Sequence, residues 1–261
     1  MRVLFLGDIV GRPGRDIIRN ALASFRKKEK IDFAAANAEN AAGGSGVTPE
    51  IAEELFKHGV DVITSGDHIW KKHEIYDLLE SSDRIIRPLN YPRGVPGKGS
   101  TVVDAAESGK IAVINLVGRV FMEAVDCPFE RVRAELEGLK KKTPVVIVDI
   151  HAEATSEKMA MGWYLDGVVS AVIGTHTHVQ TADEKILPGG TAFITDCGMT
   201  GPHDSVIGRK KEKILTRFIT QMPTRFEVAT EGLEMQGVIV DIDEKTGKAT
   251  GIKRVQEKIK S

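Results

Sequence analysis

The first third of the chain alternates short apolar runs with segments whose apolar residues recur at helical spacing. The run RVLFL, for example, precedes RDIIRNALASFRKK, where apolar side chains recur on one helical face and the segment ends in a basic turn. Thr48 and Pro49 supply a cap and a first residue for a later helix. We predict strands at 2–6, 32–36 and 60–66, and helices at 15–28, 49–58 and 71–81. This alternation predicts a largely parallel sheet with helices on its faces.

The remainder of the chain begins with a segment rich in proline and glycine, at 84–115, which reads as a loop followed by strands. Helices are then predicted at 129–142, 155–166 and 209–221, and strands at 144–151, 168–173, 191–195, 225–229, 234–242 and 249–255. The last strands follow one another with only one helix among them. They therefore predict a second, more antiparallel sheet that packs on the first. The pattern shows no internal repeat or linker, so we expect a single domain over residues 1–261 of an α/β protein.

Composition narrows the class of protein. The formal net charge is −1, so no overall field favours nucleic acid or a membrane surface as the main partner. The chain has 2 cysteines, which do not suggest a disulfide framework and fit a reducing cytoplasm. No apolar run approaches the roughly 20 residues that a membrane span needs. We expect a cytoplasmic globular protein.

Polar residues with metal-binding atoms follow several of the predicted strands. Taken singly, each has an ordinary explanation, since a carboxylate can cap a turn and a histidine can be satisfied in the core. Together they favour a shared site, because ligands of open α/β sheets bind beyond the carboxyl ends of the strands. The strand ends supply Asp8; Asn37, Glu39 and Asn40; Asp67 and His68; Asp149 and His151; and His176 and His178.

The pair His176 and His178 gives the strongest indication of a metal. Residues two apart in a strand point to the same side, so an extended chain would bring both imidazoles to one point. The sequence lacks the cluster of cysteines that is typical of a structural zinc site. A mixture of carboxylate, amide and imidazole ligands instead suits a manganese, iron or zinc ion. The candidate ligands outnumber what one ion usually takes. Two ions about 3.5–4 Å apart, which serve phosphate ester hydrolysis in many enzymes, fit better.

Several longer motifs carry a family resemblance. The order of GD, NAEN, GDH, a histidine and GTHTH is similar to that of the calcineurin-like metallophosphoesterases. More specifically, FLGDIVGRPGR, NAENAAGGSG, HAEATSEK, GTHTHVQTAD and TDCGMTGPHDSVIG resemble the bacterial YmdB-like phosphodiesterases over nearly the whole chain. The resemblance implies a four-layer α/β/β/α sandwich, the calcineurin-like metallophosphoesterase fold. It also implies a dinuclear metal centre that hydrolyses small phosphodiesters, characteristically 2′,3′-cyclic nucleotides such as 2′,3′-cAMP.

The resemblance also assigns roles to residues. It implies two divalent or mixed-valence ions, with iron or manganese favoured and zinc as an alternative. The histidine of the broad family's D-x-H motif is absent, and Val10 stands in its place. His68 would donate a proton to the leaving group. The metal ligands would be Asp8 and His178 for the first ion with Asn40 assisting, Glu39 bridging both ions, and Asp67, His151 and His176 for the second.

Asp67 departs from the family pattern, which has asparagine there. Aspartate adds a negative charge and lacks the amide NH₂, so it should tighten metal binding and weaken attraction for an anionic substrate. A second class of function therefore stays open. This alternative is a metal- and nucleotide-binding regulatory protein that has weak or no hydrolytic activity and acts through a protein partner. A redox di-iron protein fits less well, because the ligands are not Glu-x-x-His pairs on helices.

Contacts beyond the metal ligands are less clearly indicated. Arg12 or Arg15 could meet a phosphate, although an arginine at the start of a helix is more often a surface residue. His203, in GMTGPH, could line a substrate wall or belong to a plain loop. The expected partner is a small-molecule phosphodiester, and the strand-rich C-terminal segments could support a homo-oligomer.

Overall fold

The computed structural model describes residues 1–105 and 108–259. Residues 106–107, within the segment predicted as loop and strands, and residues 260–261, the end of the predicted domain, lie outside the described residues. The strands are β1 (Arg2–Leu6), β2 (Asp8–Ile9), β3 (Phe33–Asn37), β4 (Val62–Thr64), β5 (Ser100–Asp104), β6 (Lys110–Val117), β7 (Val146–His151), β8 (Ala171–Thr175), β9 (Lys185–Ile186), β10 (Ala192–Ile194), β11 (Met199–Pro202), β12 (Leu233–Ile242) and β13 (Ala249–Lys258).

Seven α-helices connect these strands in the described parts of the chain. The first two are joined by a π-helical segment at Ile18–Leu22, and two short 3₁₀ turns precede the fourth. The helices are α1 (Gly11–Ile17), α2 (Ala23–Glu29), α3 (Pro49–Lys57), α4 (Tyr76–Ser81), α5 (Pro128–Leu139), α6 (Thr155–Tyr164) and α7 (Lys211–Thr220). Thr48 caps α3 as its sequence predicts, because its side chain accepts a hydrogen bond from the backbone N–H of Ile51. Among the described residues, no helix has both the length and the apolar character that crossing a membrane requires.

The strands form two mixed sheets, so the α/β class is confirmed. The first has 7 strands in the order β2-β11-β12-β1-β3-β4, with β13 paired to β12. The second has 6 strands in the order β5-β6-β7-β8-β10-β9. The central pairs of the second sheet are parallel, and only its two edge strands are antiparallel.

Three predictions of local structure were wrong. The C-terminal strands do not build the second sheet, because β12 pairs antiparallel with β1 and so joins β13 to the first sheet. The segment 225–229 is not a strand; it lacks a partner along its length, and only Val228 forms an isolated bridge. The helix predicted at 71–81 begins only at Tyr76, since Lys72 adopts an extended backbone.

Apolar side chains pack in three clusters that follow the alternation along the strands. Leu4 and Leu6 of β1 belong to a cluster that contains side chains of α2 and α3. Val3 and Phe5, which point the other way, pack with apolar side chains of the second sheet. A third cluster joins the second sheet to α5 and α6. This alternation fixes which face of β1 each residue occupies, because a shift of one residue would exchange the two faces.

The packing of the two sheets brings the carboxyl ends of their strands together. Nδ2 of Asn37, at the end of β3, lies 3.2 Å from Nδ1 of His151, although His151 ends β7 of the other sheet. Thr64, at the end of β4, donates to Asp149 Oδ2 at 2.5 Å. All four residues are fully buried. The polar strand ends therefore meet between the sheets and not on separate surfaces.

Candidate metal centre

Four candidate ligands from four separate segments converge on one point. Glu39, Asp67, His151 and His176 each offer one ligand atom, and these atoms all lie within 4.8 Å of one another. His151 Nε2 is 3.1 Å from Glu39 Oε1 and 3.4 Å from Asp67 Oδ1. It is also 2.9 Å from His176 Nδ1. Carboxylate oxygens and ring nitrogens thus face one another across a space that one ion could occupy.

The other three candidate ligands form a second group directly beside the first. Asp8 Oδ1 and His178 Nε2 are 3.5 Å apart. Asn40 Nδ2 lies 3.3 Å from Asp8 Oδ1 and 3.2 Å from His178 Nε2. It also lies 3.3 Å from Glu39 Oε1, so Glu39 adjoins both groups. A half-turn of the Asn40 amide exchanges its oxygen and nitrogen, which would direct an acceptor towards this group.

The two histidines of GTHTH reach the centre in a different way from the one their spacing suggested. Strand β8 ends at Thr175, and both histidines that follow have positive φ, 97° at His176 and 64° at His178. The extended chain that would place both imidazoles on one side is therefore absent here. Instead His176 points to the first group and His178 to the second.

The three histidines share a hydrogen-bonding arrangement that suits metal ligands. In each ring, one nitrogen faces the carboxylates and the other lies within hydrogen-bond distance of an oxygen atom outside the group. A proton on the outer nitrogen leaves a lone pair on the inner one, as a metal-binding imidazole requires. The outer oxygens are Thr175 Oγ1 for His151 (2.9 Å), Glu153 Oε2 for His176 (3.2 Å) and the Ile207 carbonyl for His178 (3.0 Å).

Asp149 lies one step behind His151 and is not among the converging atoms. The hydroxyl of Thr175 donates to Asp149 Oδ1 at 2.7 Å, so its oxygen can accept a hydrogen bond from His151 Nδ1–H at the same time. Burial raises the pKa of Asp149 to about 7, against the opposing effects of the charge on His151 and two threonine hydrogen bonds. The sequence suggested Asp149 as a possible metal ligand. In the structure its position is instead that of a residue that orients the ligand His151 through Thr175.

The electrostatics of the centre favour a cation. Burial tends to raise the pKa of Asp8 and Asp67, but the charges of neighbouring histidines outweigh it and hold both carboxyls well below their usual range. Burial opposes a charge on His151, yet the Glu39 carboxylate and the contact with Asp67 raise the pKa of His151 well above its ordinary value. Burial and the charge on His151 lower the pKa of His176. The carboxylates therefore favour positive charge at the point that His151 faces.

The surroundings of one buried oxygen atom suit a metal ion. Asp67 Oδ1 is buried and accepts no hydrogen bond from the described residues, although an unpaired buried carboxylate oxygen is costly. Gly66 lets His151 and Glu39 pack directly against the backbone, because a Cβ there would lie only 2.2 Å from His151 Cδ2 and 2.4 Å from Glu39 Oε2. The donor set of carboxylate oxygen and imidazole nitrogen, without sulfur, suits manganese, iron or zinc.

His68 lies beside the two groups and is open to solvent on one side. Its backbone N–H donates to Glu39 Oε2 at 3.0 Å, and its Nδ1 is 3.0 Å from Asn40 Oδ1. The side chain is 31% exposed and lines a cleft of about 360 Å³ together with His176 and His178. His68 therefore has a position from which it can contact a molecule bound in the cleft.

Arg209 also lines this cleft, and the sequence did not single it out. Its guanidinium donates to the carbonyl oxygens of Gly43, at 3.3 Å, and Gly44, which belong to the glycine-rich loop after Glu39. Burial lowers the pKa of Arg209, and the described residues offer it no carboxylate partner. It is the cationic side chain that lines the cleft. Only its place directly after the motif TDCGMTGPHDSVIG could have drawn attention to it.

The other residues that the sequence suggested for contact with the substrate lie outside the cleft. Arg12 is an exposed side chain paired with Asp16, and Arg15 pairs with Glu54. His203 directs Nε2 towards the carbonyl oxygen of Met199 at 3.2 Å and lines a separate cavity of about 230 Å³. Of these three residues, none lines the cleft beside His68.

Comparison with known proteins agrees with this geometry. A model of the YmdB-like protein family matches residues 4–255. The chain is 50% identical over 256 residues to a 2′,3′-cyclic-nucleotide 2′-phosphodiesterase of Bacillus subtilis, covering 98% of this chain and 96% of the relative. A crystal structure of a hypothetical protein from Thermus thermophilus superposes with a TM-score of 0.92 at 40% identity, covering 99% of both chains. A novel phosphatase from Mycoplasma pneumoniae superposes with a TM-score of 0.91 at 35% identity, covering 99% of this chain and 93% of that one.

Proposed function

The chain belongs to the YmdB-like protein family, and on that premise we propose that it is a metal-dependent phosphodiesterase that hydrolyses small phosphodiesters. The proposed substrates are 2′,3′-cyclic nucleotides such as 2′,3′-cAMP, the class named for the relative from Bacillus subtilis. The observation that carries this proposal is the set of three histidines whose inner nitrogens face carboxylates while their outer nitrogens meet oxygen atoms. Such an arrangement prepares imidazoles to bind a cation.

We propose that the centre holds two ions, iron or manganese, with zinc as an alternative. The two adjoining groups of ligands support this number, and the position of Glu39 between them supports a bridging carboxylate. Ions held there would supply Lewis-acid chemistry, which consists of neutralising charge on phosphate oxygens and lowering the pKa of a bound water molecule. The ligands proposed are Asp8, Asn40 and His178 for one ion, Asp67, His151 and His176 for the other, and Glu39 for both.

In this proposal His68 protonates the leaving oxygen. The side-chain amide of Asn40 lies within hydrogen-bond distance of Nδ1 of His68 and so fixes the orientation of the ring. This leaves Nε2 to carry the proton that passes to the alkoxide as the phosphodiester bond breaks. An imidazole is a suitable general acid near neutral pH, and such proton transfer contributes about 10²–10⁴-fold to a rate.

Activity that depends on metal distinguishes this function from the regulatory alternative. We expect the purified chain to hydrolyse bis(p-nitrophenyl) phosphate and 2′,3′-cAMP. Dialysis against a chelator should lower the rate by roughly 100-fold or more, and added Mn²⁺ should restore it, because the metal centre supplies the charge stabilisation. Metal content measured on the same samples shows whether the rate follows occupancy. A chain that binds both metal and 2′,3′-cAMP without hydrolysing either phosphodiester would support the regulatory alternative instead.

Arg209 is proposed to contact the phosphate of the substrate. Arg209→Ala should raise KM for 2′,3′-cAMP about tenfold and change kcat less, because a charge-assisted hydrogen bond to a bound ligand is worth about 1.5–3 kcal/mol. Arg209→Lys should recover part of the loss, since it keeps the charge without the planar fork.

Arg12→Ala is the matched control for Arg209, because Arg12 is an exposed arginine outside the cleft. Its KM should equal that of the unchanged chain. An Arg209→Ala variant with unchanged KM and full metal content would show that Arg209 only anchors the glycine-rich loop.

The proposal extends to the architecture. We propose the α/β/β/α layer order of a calcineurin-like metallophosphoesterase, formed as one domain over residues 1–261. The three apolar clusters support it, because one lies between the sheets and the other two join each sheet to helices. We also propose a cytoplasmic location. Both cysteines are free thiols, which accords with a reducing compartment.

A homo-oligomer stays a prediction, and one surface supports it. Helix α7 and the segment that follows its end expose Leu215, Phe218, Ile219 and Met222, which are 54–79% exposed and recur at helical spacing. An apolar stripe of this kind on a folded chain is typical of an interaction site. Sedimentation velocity of the purified chain, with and without Phe218→Glu, tests whether a second copy covers it.

A further inference from the structure

A buried ion pair joins two motifs of the sequence, at residues to which the proposed reaction gives no role. Lys158, in HAEATSEK, and Asp196, in TDCGMT, are both fully buried. Lys158 Nζ donates to Asp196 Oδ2 at 2.7 Å. Removing two charges from water is expensive, and apolar residues of similar volume often replace such a pair without loss of stability. The pair therefore calls for an explanation other than stability alone.

The carboxylate of Asp196 holds the residue between the two histidines of GTHTH. Its Oδ2 accepts hydrogen bonds from both the backbone N–H of Thr177, at 3.0 Å, and the Thr177 hydroxyl, at 2.7 Å. Its Oδ1 accepts from the backbone N–H of Gly198 at 2.9 Å. The buried carboxylate of Asp196 thus accepts two hydrogen bonds from Thr177 through one oxygen, while Gly198 holds the other oxygen.

Thr177 needs such an anchor because of the backbone on either side of it. His176 and His178 both have positive φ, which costs free energy for residues that carry a Cβ and persists only where the surroundings enforce it. These two conformations send His176 to the group with Glu39 and His178 to the group with Asp8. Releasing Thr177 would allow both histidines to relax away from the centre.

Lys158 strengthens the anchor from the other side. Its ammonium group donates to the same Asp196 oxygen that accepts both hydrogen bonds from Thr177, and hydrogen bonds between charged partners are shorter and stronger than neutral ones. The stem of Lys158 passes close to Gly174, where a Cβ would lie 2.9 Å from Lys158 Cδ. The glycine that opens GTHTH thus leaves room for the lysine that supports the same loop.

We propose that Asp196 and Lys158 are positioning residues that set the affinity of the centre for metal by holding the loop of His176 and His178. This inference rests on the proposed function only in that the centre binds metal. Residues that orient ligands typically contribute about 10–100-fold to metal affinity. The relevant quantity is therefore the dissociation constant for Mn²⁺, measured on metal-free protein without substrate.

The test uses two substitutions, one that removes a hydrogen bond between Thr177 and Asp196 and one that removes the ion pair between Lys158 and Asp196. Thr177→Val removes one hydrogen bond to Asp196 at a partly exposed position, whereas Lys158→Met keeps the stem and removes the charge. We expect Thr177→Val to weaken Mn²⁺ binding about tenfold and Lys158→Met about 10–100-fold. Thr177→Ser keeps the hydroxyl and should bind within about twofold of the unchanged chain. Free Mn²⁺ is measured by electron paramagnetic resonance during titration, at a temperature where circular dichroism shows each variant folded.

Thr191→Val is the matched control. Thr191 is fully buried, and its hydroxyl donates to the carbonyl oxygen of Val169 at 2.6 Å, outside the centre. This variant should lose thermal stability and keep its Mn²⁺ affinity. If Thr177→Val binds Mn²⁺ as tightly as the unchanged chain, the inference is overturned, whether or not Lys158→Met folds. If the unchanged chain binds no Mn²⁺, iron or zinc, the proposed metal centre fails first and this inference with it.

Discussion

Replacing Glu39 by glutamine should remove metal from the centre and lower kcat/KM by roughly 10³-fold or more. The side chain is 1% exposed, and its carboxylate lies 3.1 Å from His151 Nε2 and 3.3 Å from Asn40 Nδ2. Glutamine keeps the shape but loses the charge that would be shared between two cations. A neutral amide presents one oxygen and one NH₂ to the centre, and the NH₂ cannot bind a cation.

The measurement for Glu39→Gln is metal content per chain, by inductively coupled plasma mass spectrometry, beside the rate with 2′,3′-cAMP. Glu137→Gln makes the same chemical change at an exposed position of α5 and should match the unchanged chain in both. A Glu39→Gln protein that keeps both ions and its rate would contradict the bridging role. Loss of a single ion with partial activity would argue that each group of ligands binds metal independently.

Replacing His68 by alanine should give the opposite combination, with full metal content and a rate lower by about 10²–10⁴-fold. The backbone N–H of residue 68 holds Glu39 Oε2, and alanine keeps that bond, so the proposed bridging carboxylate should stay in place. The imidazole itself is the part that faces the cleft.

His73→Ala is the control for His68. His73 lies in the same connecting segment and packs edge-on against Tyr76, outside the residues that line the cleft. It should keep both its rate and its metal content. A His68→Ala chain with an unchanged rate would remove the imidazole from the mechanism. A chain that instead loses its metal would assign His68 a supporting role through Asn40.

Together the two substitutions separate binding from turnover. The regulatory alternative predicts that Glu39→Gln abolishes metal binding and that His68→Ala changes the rate little, because the unchanged chain would have weak or no hydrolytic activity.

Asp67 bears on the choice between the two functions. Its Oδ1 is buried, without a hydrogen-bond donor among the described residues, and faces His151 at 3.4 Å, so its extra charge acts directly on the site of one proposed ion.

The sequence alone determined the elements that end at the centre and the chemical types of residue found there. Strands β1, β3, β7 and β8 lie close to where their apolar runs predicted them, because buried strands must be apolar and their polar ends must emerge at a sheet edge. The seven candidate ligands and His68 all follow such runs. Their convergence on one small region agrees with what the residue types implied before any coordinates were considered.

Only the tertiary structure decided how these residues are arranged and supported. The left-handed backbone at His176 and His178, the placement of Arg209 in the cleft and the link from Lys158 to Thr177 through Asp196 all join segments that are distant along the chain. The pairing of β12 with β1 is likewise a contact between segments that are distant along the chain. The spacing of apolar residues along a helix or strand indicates which of its faces is buried. It does not indicate which other helix or strand packs against that face, and these contacts depend on that. That choice is made by the packing of the whole chain and is not encoded in any one stretch of it.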